Sequence, residues 1–296
     1  MLSVKSLTFA WWNTGLAPSA ASRSTLKDRA TACRVVVDLI TLIGADFIAL
    51  GEMSEFDLDE MATLLAAFDF DVKSGITKAG RAKFDLCYAY NKHKISVLDS
   101  KDIVDERGNS TLRIAQKLAI ATLGDDTIFH LLVSHWPSRL YCHGDDPDRH
   151  IYGLRLRDQV KDLMDEGGDD AFVMTLGDYN DEPFDKSLSH QLMASRDIDL
   201  VRRKKHLLYN PFWQHFCKRP QKSLASGSYY YNGGDITKWY TFDQIILSQA
   251  FISSNKWNYS HKEELVYDSP ELIELITQPK TNFDHLPVYC RVEKVI

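Results

Sequence analysis

The stretch VMTLGDYNDEPF, residues 173–184, decides how the chain is interpreted. Its first half is apolar and ends at a glycine, which is typical of a short buried strand followed by a turn. Asp178, Asn180, Asp181 and Glu182 then follow within five positions. Clustered carboxylates repel one another unless a cation or a hydrogen-bonding partner offsets their charge. The stretch therefore predicts a site at the end of this strand.

The composition is that of an ordinary soluble globular protein, with 296 residues, 44% hydrophobic and 26% charged. No apolar run approaches the ~18 residues of a transmembrane helix, and the first residues lack the charged start and apolar middle of a signal peptide. Five scattered cysteines without a CxxC pair argue against a disulfide or zinc framework and favour reduced thiols. We expect a cytoplasmic protein without a membrane anchor.

The net charge of −6 argues against a protein that only coats nucleic acid, because such proteins are basic. It does not argue against a substrate that carries phosphate, since a local basic patch or a bound cation can supply positive charge.

Strand-like and helical segments alternate along the chain. Apolar residues recur at helical spacing over residues 25–43 and 154–164. The strand-like segments are residues 6–12, 47–50, 86–90, 115–122, 127–134, 172–176, 241–247 and 288–292. This interleaving favours an α/β fold with mixed sheets. No repeat or linker is visible, which predicts one domain over residues 1–296.

Polar side chains stand where several of these strands begin or end. Loops at strand ends commonly carry function because a rigid sheet positions them. Taken singly, each polar residue has an ordinary explanation, such as a turn, a helix N-cap or a buried histidine. Six coincidences in chain order instead favour one site where strands converge. The residues are Asn13, Glu52, His135, Asp178 with Asn180, Asp243, and Asp284 with His285.

The donor types in this set predict a divalent cation and a phosphate ester. Carboxylate and amide oxygens suit Mg²⁺ or Mn²⁺, and no cysteine or histidine cluster has zinc spacing. His135 and His285 can donate to a phosphate or transfer protons, and Asp243 can orient one imidazole. The combination predicts hydrolysis of a phosphodiester by water with the help of a metal.

Six motifs resemble those of the endonuclease/exonuclease/phosphatase superfamily, which includes DNase I, exonuclease III-type repair nucleases, neutral sphingomyelinases and inositol-polyphosphate 5-phosphatases. The motifs are FAWWNTG, FIALGEMSE, LLVSHWPSR, VMTLGDYNDEP, YTFDQIIL and NFDHLPVYC, in the family's order between residues 9 and 290. The resemblance implies a DNase I-like, four-layer α/β/β/α sandwich, in which two mixed β-sheets pack face to face with helices outside. It also implies an active site at one edge.

The resemblance also implies roles around the Mg²⁺ or Mn²⁺ cofactor. Glu52 is similar to the main metal ligand, and Asn13 and Asp284 are similar to its helpers. Asp178 resembles the residue that positions or activates the attacking water, and Asn180 resembles a contact to the phosphate and the transition state.

The two histidines resemble a pair with different tasks. His285 is similar to the histidine that binds the scissile phosphate, with Asp243 as its orienting partner. His135 is similar to a second histidine near the leaving oxygen, which DNase I-like members pair with a glutamate. The corresponding stretch RAKFDLCYAY contains no glutamate, and Asp85 is the candidate substitute.

The motifs HWPSR, GSYYY and KWYTFDQIIL look most like those of bacterial nuclease-like members, so we expect a nucleic-acid substrate, DNA ahead of RNA. Arg139, Arg155, Tyr229 and Tyr231 are the candidate contacts. A basic run at residues 202–205, followed by several aromatic residues, either holds a phosphate backbone and stacks bases or is an exposed loop with inward-packing rings.

Other functions stay open. A lipid phosphodiesterase or sugar-phosphate phosphatase of the same superfamily is one. A lipid enzyme should carry an exposed apolar loop, for which Phe212 and Trp213 are the candidates. A non-catalytic phosphate-binding module and a structural protein with an incidental acid cluster are less favoured, because the whole polar set is present. The sequence gives no evidence of a protein partner.

Overall fold

The structure is a computed structural model that describes residues 4–80, 82–108, 110–125, 127–144, 146–217, 225–261 and 265–295. The strands of this part of the chain are, in order, β1 (Ser6–Asn13), β2 (Phe47–Gly51), β3 (Phe70–Ser74), β4 (Lys78–Ala79), β5 (Ala82–Lys83), β6 (Cys87–Asn91), β7 (Ile95–Arg107), β8 (Ser110–Thr122), β9 (Ile128–His135), β10 (Phe172–Asp178), β11 (Ala194–Ser195), β12 (Leu208–Tyr209), β13 (Tyr229–Tyr230), β14 (Trp239–Tyr240), β15 (Asp243–Ser248), β16 (Trp257–Tyr259) and β17 (Val288–Lys294). The α-helices are α1 (Leu26–Asp38), α2 (Glu55–Leu65), α3 (Pro147–Gly167), α4 (Ile198–Arg203), α5 (Ala250–Ser253) and α6 (Pro270–Ile276).

Most strands belong to two large mixed sheets. The six-stranded sheet has the order β16-β17-β1-β2-β6-β3, and the seven-stranded sheet has the order β11-β12-β15-β10-β9-β8-β7. The hairpins β4–β5 and β13–β14 stand apart from both. Each predicted strand lies within or overlaps one of these strands, whereas β3 and the long β7 were not predicted, because their burial does not alternate cleanly.

The two large sheets pack face to face over a shared aromatic core. Phe9 of β1 contacts Phe129 of β9, with ring centroids 5.9 Å apart. Phe129 in turn meets Trp257 of β16 edge to face at 5.5 Å. Rings of this size each bury about 150–250 Å² and therefore dominate core energetics. Strand β1 is buried on both faces because it lies inside its sheet and is covered on either side.

Helices cover the outer faces of the sheets. On α3, Tyr152, Leu156, Val160 and Leu163 recur at helical spacing, are buried, and share a cluster with Val173 of β10. Apolar residues of α1 and α2 join the core of the six-stranded sheet. The predicted four-layer α/β/β/α sandwich is confirmed.

Local capping sets the helix bounds. Helix α1 begins after Thr25, which forms a capping box with Asp28, and it continues into a π-helical turn over Leu39–Ile43 that ends at the left-handed Gly44. Helix α3 is longer than the predicted 154–164 because Asp146 caps it, Pro147 occupies its first turn and Gly168 ends it.

Strand register brings polar residues of distant sequence positions into one row. Asp178, the last residue of β10, lies opposite His135 on the parallel strand β9 and opposite Asp243 on the antiparallel strand β15. In the other sheet Asn13 pairs with Gly51, so that Glu52 follows immediately at the same edge. The sheets therefore present both groups of polar residues at neighbouring strand ends.

Gly177 holds this row together, because β10 passes close to β9 there. Its φ is +153°, and an added Cβ would lie 1.8 Å from the backbone oxygen of Ser134.

We expect Gly177→Ala to lower the free energy of unfolding by about 2 kcal/mol or more in urea titrations. Gly108→Ala is the control: its φ is also positive, at +58°, but an added Cβ meets no described atom within 4 Å. It should cost about 1 kcal/mol. Equal losses in the two variants would contradict this account.

Candidate active site

Eight of the predicted residues form a connected cluster where the two groups of strand ends meet. Six come from strand ends or the residues just beyond them, and two come from the loop that leads into β17. Hydrogen bonds or ion-pair contacts link each of them to at least one other member. They are Asn13, Glu52, His135, Asp178, Asn180, Asp243, Asp284 and His285.

The first part of the cluster is a His285–Asp243 dyad. His285 Nδ1 lies 2.7 Å from Asp243 Oδ2, and both side chains are buried. The indole Nε1 of Trp11 donates to the other carboxylate oxygen of Asp243 at 2.7 Å. Trp12 Nε1 donates to the backbone oxygen of His285 at 3.0 Å. These contacts fix the ring so that Nε2 faces the cluster centre.

The second part is a His135–Asp85 dyad. His135 Nδ1 lies 2.9 Å from Asp85 Oδ1, so Asp85 occupies the place for which the sequence offered no glutamate. The other Asp85 oxygen, Oδ2, accepts from the backbone N–H of Ser19 at 3.0 Å. Arg113 Nη1 lies 3.6 Å from Oδ1, the oxygen that contacts His135. Both dyads therefore use an aspartate on Nδ1 and leave Nε2 free of that contact.

Asp178 lies between the two dyads. Its Oδ2 is 3.7 Å from His285 Nε2 and 4.0 Å from His135 Nε2, and it accepts from Asn13 Nδ2 at 3.3 Å. Its Oδ1 accepts from the backbone N–H of Asn180 at 2.8 Å. The two imidazoles thus flank one buried carboxylate.

An oxygen-rich group adjoins this centre. Asn13 Nδ2 lies 3.4 Å from Glu52 Oε1, which is 3.8 Å from His135 Nε2. The Asp284 side chain is 46% exposed and lies 3.8 Å from His285 Nε2. Glu52 and Asp284 offer carboxylate oxygens, which fit a hard divalent cation, whereas Asn13 turns Nδ2 toward Glu52 and its Oδ1 accepts from the Gly15 N–H at 3.1 Å.

A second set of potential metal ligands overlaps the dyad. One ligand atom each from Asp178, Asp243 and His285 lie within 4.8 Å of one another. Within this set, however, Asp243 already accepts hydrogen bonds at both carboxylate oxygens. Asp243 therefore has little capacity left for a cation.

Two cluster residues have strained backbones. Glu52 has φ +54° and Asn180 has φ +50°, the left-handed region that residues other than glycine rarely adopt. Such conformations cost of order 1–3 kcal/mol and concentrate at functional sites. Both residues directly follow the ends of their strands, where the chain turns sharply to present their side chains.

Burial raises the pKa values of acids in the cluster. Burial raises the pKa of Glu52, opposed by the nearby His135 charge. Burial likewise raises the pKa of Asp178, where His285 opposes it and Asp243 adds to it. Each of these acids would gain from added positive charge, which is consistent with a cation-binding role.

The two imidazoles are driven the other way. Burial lowers the pKa of His135, but the Asp85 carboxylate outweighs it and raises the pKa to about 9. For His285, Asp243 and Asp178 outweigh burial and raise the pKa to about 10. Both values lie above the ~6.5 of a free histidine. Each charged dyad therefore stabilises the fold fully below pH ~6.5, and this contribution is lost as pH rises through the folded pKa.

The predicted substrate contacts divide into two groups. Tyr229, Tyr231 and Arg139 line a cleft beside Asn180, and the Tyr229 ring lies 4.6 Å from that of His285. Arg155, by contrast, is on the exposed side of α3 and pairs with Asp105 at 3.2 Å and Asp158 at 3.2 Å. Among the described residues, no hydrogen bond or ion pair connects it to the cluster.

The basic run does not face the cluster either. Lys205 and His206 line a cavity with Ala171 and Ser248, at the opposite ends of β10 and β15 from Asp178 and Asp243. Phe212, a candidate for an exposed apolar loop, is instead fully buried, because it packs into the core.

Several residues of the site had no predicted role. Trp11 and Trp12 lie in the FAWWN motif, where two adjacent indoles on an all-buried strand are a signal for polar partners of their N–H groups. Tyr240 and Phe242 complete the cleft; Phe242 directly precedes Asp243 in sequence, and Tyr240 lies three residues before Asp243. Arg113 belongs to a long strand and carries no local signal.

The His135–Asp85 contact gives a prediction that needs no substrate. We expect Asp85→Asn to lower the pKa of His135 from about 9 to ~6.5 or below, because burial then acts without the opposing carboxylate. An NMR titration of the imidazole in EDTA would measure it. Asp71→Asn, at an exposed position, is the control and should leave the His135 pKa unchanged. A His135 pKa that stays near 9 in Asp85→Asn would refute the dyad.

In the described residues, no helix has both the length and the apolar character to cross a bilayer.

Comparisons with known proteins agree with the motifs. The model of the Endonuclease/Exonuclease/phosphatase family matches residues 73–294. A search of curated proteins gives no match. The fold is shared with the solved structure of the human Nocturnin catalytic domain with bound sulfate anion, at a TM-score of 0.64 and 15% identity, covering 99% of this chain and 95% of that chain. It is also shared with D. rerio TDP2 complexed with single strand DNA product, at a TM-score of 0.61 and 16% identity, covering 97% of this chain and 99% of that chain. A third structure with this fold is Bacteroides thetaiotaomicron mannosyl-6-phosphatase, at a TM-score of 0.57 and 14% identity, covering 98% of this chain and 100% of that chain. With three quarters of its length matched, the chain belongs to the endonuclease/exonuclease/phosphatase family.

Proposed function

We propose that this protein is a Mg²⁺- or Mn²⁺-dependent phosphodiesterase that hydrolyses nucleic acid, DNA ahead of RNA, by attack of water on a bound phosphate. The observation that carries the proposal is the arrangement of two His–Asp dyads whose Nε2 atoms flank Asp178 at 3.7 and 4.0 Å. A carboxylate between two imidazoles can accept a proton from water while the imidazoles donate to phosphate oxygens.

Asp178 is the candidate that orients and deprotonates the attacking water. Its Oδ2 is the atom that faces both imidazoles and the Asn13 amide. Burial raises the pKa of this carboxyl group, and a carboxylate with raised pKa is a stronger base than one in water. The backbone N–H of Asn180, which donates to Oδ1, holds the carboxylate plane in place.

The two imidazoles carry positive charge toward the phosphate. His285, oriented by Asp243, is the candidate that contacts a phosphate oxygen as charge develops, and Asn180, whose Nδ2 donates to the Trp136 backbone oxygen, is a second candidate contact. His135, oriented by Asp85, can protonate the leaving oxygen, because its pKa of about 9 keeps it charged at neutral pH.

Glu52, Asn13 and Asp284 are the residues that would hold Mg²⁺ or Mn²⁺. The bound ion would neutralise phosphate charge and polarise the phosphoryl oxygen. Burial, to which the nearby Asp85 and Asp284 charges add, raises the pKa of Glu52, and the positive charge of a bound cation would offset this, which supports the assignment.

The preference for nucleic acid is supported by the cleft next to the cluster, which carries tyrosines and an arginine. The TDP2 relative was solved with a single-strand DNA product. A lipid phosphodiesterase is a second candidate, because Leu140, Tyr141 and Ile236 near the cleft are 77%, 87% and 101% exposed and offer apolar surface to a membrane.

Removing the central carboxylates should nearly abolish hydrolysis. We expect Asp178→Asn and Glu52→Gln each to lower kcat/KM at least ~100-fold, the first through loss of the proton acceptor and the second through loss of the metal ligand. Fold integrity is checked by circular dichroism and thermal unfolding. The exposed acids Asp71 and Glu106 give the controls Asp71→Asn and Glu106→Gln, which should retain full activity. Retained activity in folded Asp178→Asn protein would defeat the assignment.

A substrate panel tests the proposed function as a whole. Single-stranded DNA, plasmid DNA, RNA, an abasic oligonucleotide and vesicles of a choline phospholipid are each assayed with Mg²⁺, with Mn²⁺ and with EDTA. The proposal expects cleavage of a nucleic acid that stops in EDTA and weakens as salt rises. Turnover of vesicles alone would establish the lipid candidate instead, and cleavage that persists in EDTA would overturn the mechanism.

Arg139 needs a separate test, because its guanidinium is already engaged. Its Nε donates to the backbone oxygen of Asn180 at 2.8 Å, its Nη2 contacts Asp185, and the group lies 4.7 Å from the centre of the Phe242 ring. The predicted role as a substrate contact competes with a role in holding the strained Asn180 turn.

A double-mutant cycle separates these roles. If Arg139 holds Asn180, Arg139→Gln and Asp185→Asn should each lower kcat roughly tenfold or more with little change in KM, and the double variant should lose no more than either single variant. Arg202→Gln, at a distant exposed ion pair, is the control. A rise in KM in Arg139→Gln, without effect of Asp185→Asn, would instead assign Arg139 to the substrate.

A further inference from the structure

The cleft beside the cluster is built from two separate pieces of chain. Ser138, Arg139, Leu140 and His143, from the loop after β9, form one wall. Tyr229, Tyr231, Tyr240 and Phe242, from the β13–β14 hairpin and the residue just before β15, form the other. The volume of about 270 Å³ is slightly below the ~300–1,000 Å³ of sites for drug-sized ligands. The cleft therefore has room for one compact group.

The inner end of this cleft is the catalytic cluster. Asn180 is part of its lining, and Tyr229 forms a backbone bridge with His285 as well as the 4.6 Å ring contact. The backbone N–H of Tyr230 donates to the oxygen of Asp284 at 2.8 Å. A group in the cleft would thus lie beside a phosphate held by the cluster.

Several residues of the cleft lining stack on one another. Tyr229 and Tyr240 both stack on Phe242, with centroids 5.2 and 5.0 Å apart and interplanar angles of 18° and 29°. The Arg139 guanidinium covers Phe242 from the loop. Because the faces of these rings are already in contact with one another, they form a packed floor of the cleft and leave little free surface for stacking.

Tyr231 offers the free surface. Its side chain is 45% exposed, and within the described part of the chain no other ring stacks on it. Gly233 packs close to the Tyr231 ring, and a Cβ added at Gly233 would lie 2.9 Å from that ring. Leu140, 77% exposed, lines the same cleft from the other wall. Leu140 and Tyr231 therefore both offer exposed apolar surface to a planar group in the cleft.

We infer that this cleft binds one unpaired nucleobase of a nucleotide that flanks the scissile phosphate. Every nucleobase has a π-face that stacks on an aromatic ring without regard to sequence. A base in the slot has left its partner strand, so the inference assigns single-stranded or frayed ends as the substrate class. It rests on the proposed function, which it makes more specific.

The kinetic test removes the base and the ring in turn. Short single-stranded oligonucleotides carry a tetrahydrofuran residue, which lacks a base, at each position on either side of the cleaved bond. We expect loss of the base at one flanking position to lower kcat/KM roughly tenfold or more in the wild-type enzyme. Tyr231→Ala should cause a similar loss on the normal substrate and no further loss on the base-free one. Tyr231→Phe should behave as wild type.

Tyr141 provides the matched control. It neighbours Leu140, is 87% exposed and is not part of the cleft lining, so Tyr141→Ala should leave the effect of the base unchanged. If Tyr141→Ala and Tyr231→Ala reduce activity alike, the tyrosines act as a general surface and the inference is overturned.

A binding readout separates this inference from the proposed function. In the Asp178→Asn protein with Mg²⁺, 2-aminopurine is placed at successive positions of the oligonucleotide, and stacking on Tyr231 should quench its fluorescence at one position. Tyr231→Ala in the same background should abolish the quenching. Cleavage without any effect of the base overturns the inference and leaves the proposed function standing. Absence of cleavage and of quenching overturns both, whereas quenching without cleavage overturns the proposed function and the position beside a scissile phosphate but leaves binding of a base in the cleft established.

Discussion

The register between three strands is the constraint on which the site depends. Asp178 stands opposite His135 on one neighbouring strand and Asp243 on the other, so that one row across β9, β10 and β15 carries the central carboxylate, an imidazole and the acid that orients the second imidazole. A slip of one residue would turn every side chain of β10 to the other face of the sheet. The close approach at Gly177, where a Cβ cannot fit against Ser134, makes such a slip costly. The backbone packing that fixes this register therefore also fixes the positions of the Asp178, His135 and Asp243 side chains.

The second sheet completes what the first begins. Trp11, buried on β1, donates an indole hydrogen bond across the sandwich to Asp243, and Trp12 donates to the His285 backbone in the loop before β17 of its own sheet. Because each ring packs in the core and its N–H reaches the cluster, core packing fixes the orientation of the dyad. Glu52 arrives from the adjacent parallel strand in a left-handed conformation. The strain there is tolerated because the surrounding core determines the backbone path.

Much of this could be predicted from the sequence, because the information is local. Apolar runs that stop at Asn13, Glu52, His135 and Asp178 mark strand ends, and in a layered α/β fold such ends share an edge. The rest depends on contacts between segments far apart in the chain. Arg155 carries the same local signal as Arg139, yet α3 turns it toward Asp105 and Asp158. The basic run has the composition of a phosphate-binding surface, but Lys205 and His206 lie at the far end of the sheet. Composition does not record to which end of a strand a loop returns.

Tyr229 links the proposed binding cleft to the His285–Asp243 dyad more closely than its position in a surface hairpin indicates. Its backbone forms a bridge with His285, its ring contacts the imidazole, and the same ring stacks on Phe242 in the floor of the cleft. A change at Tyr229 would therefore disturb the dyad and the cleft together, and its effect on activity could not be divided between them. Tyr231 lies two residues further along, on the open side of the cleft, and shares none of these dyad contacts. The separation between binding and chemistry in this site is thus set by two residues of one short hairpin, and only the outer one can be varied without moving the imidazole.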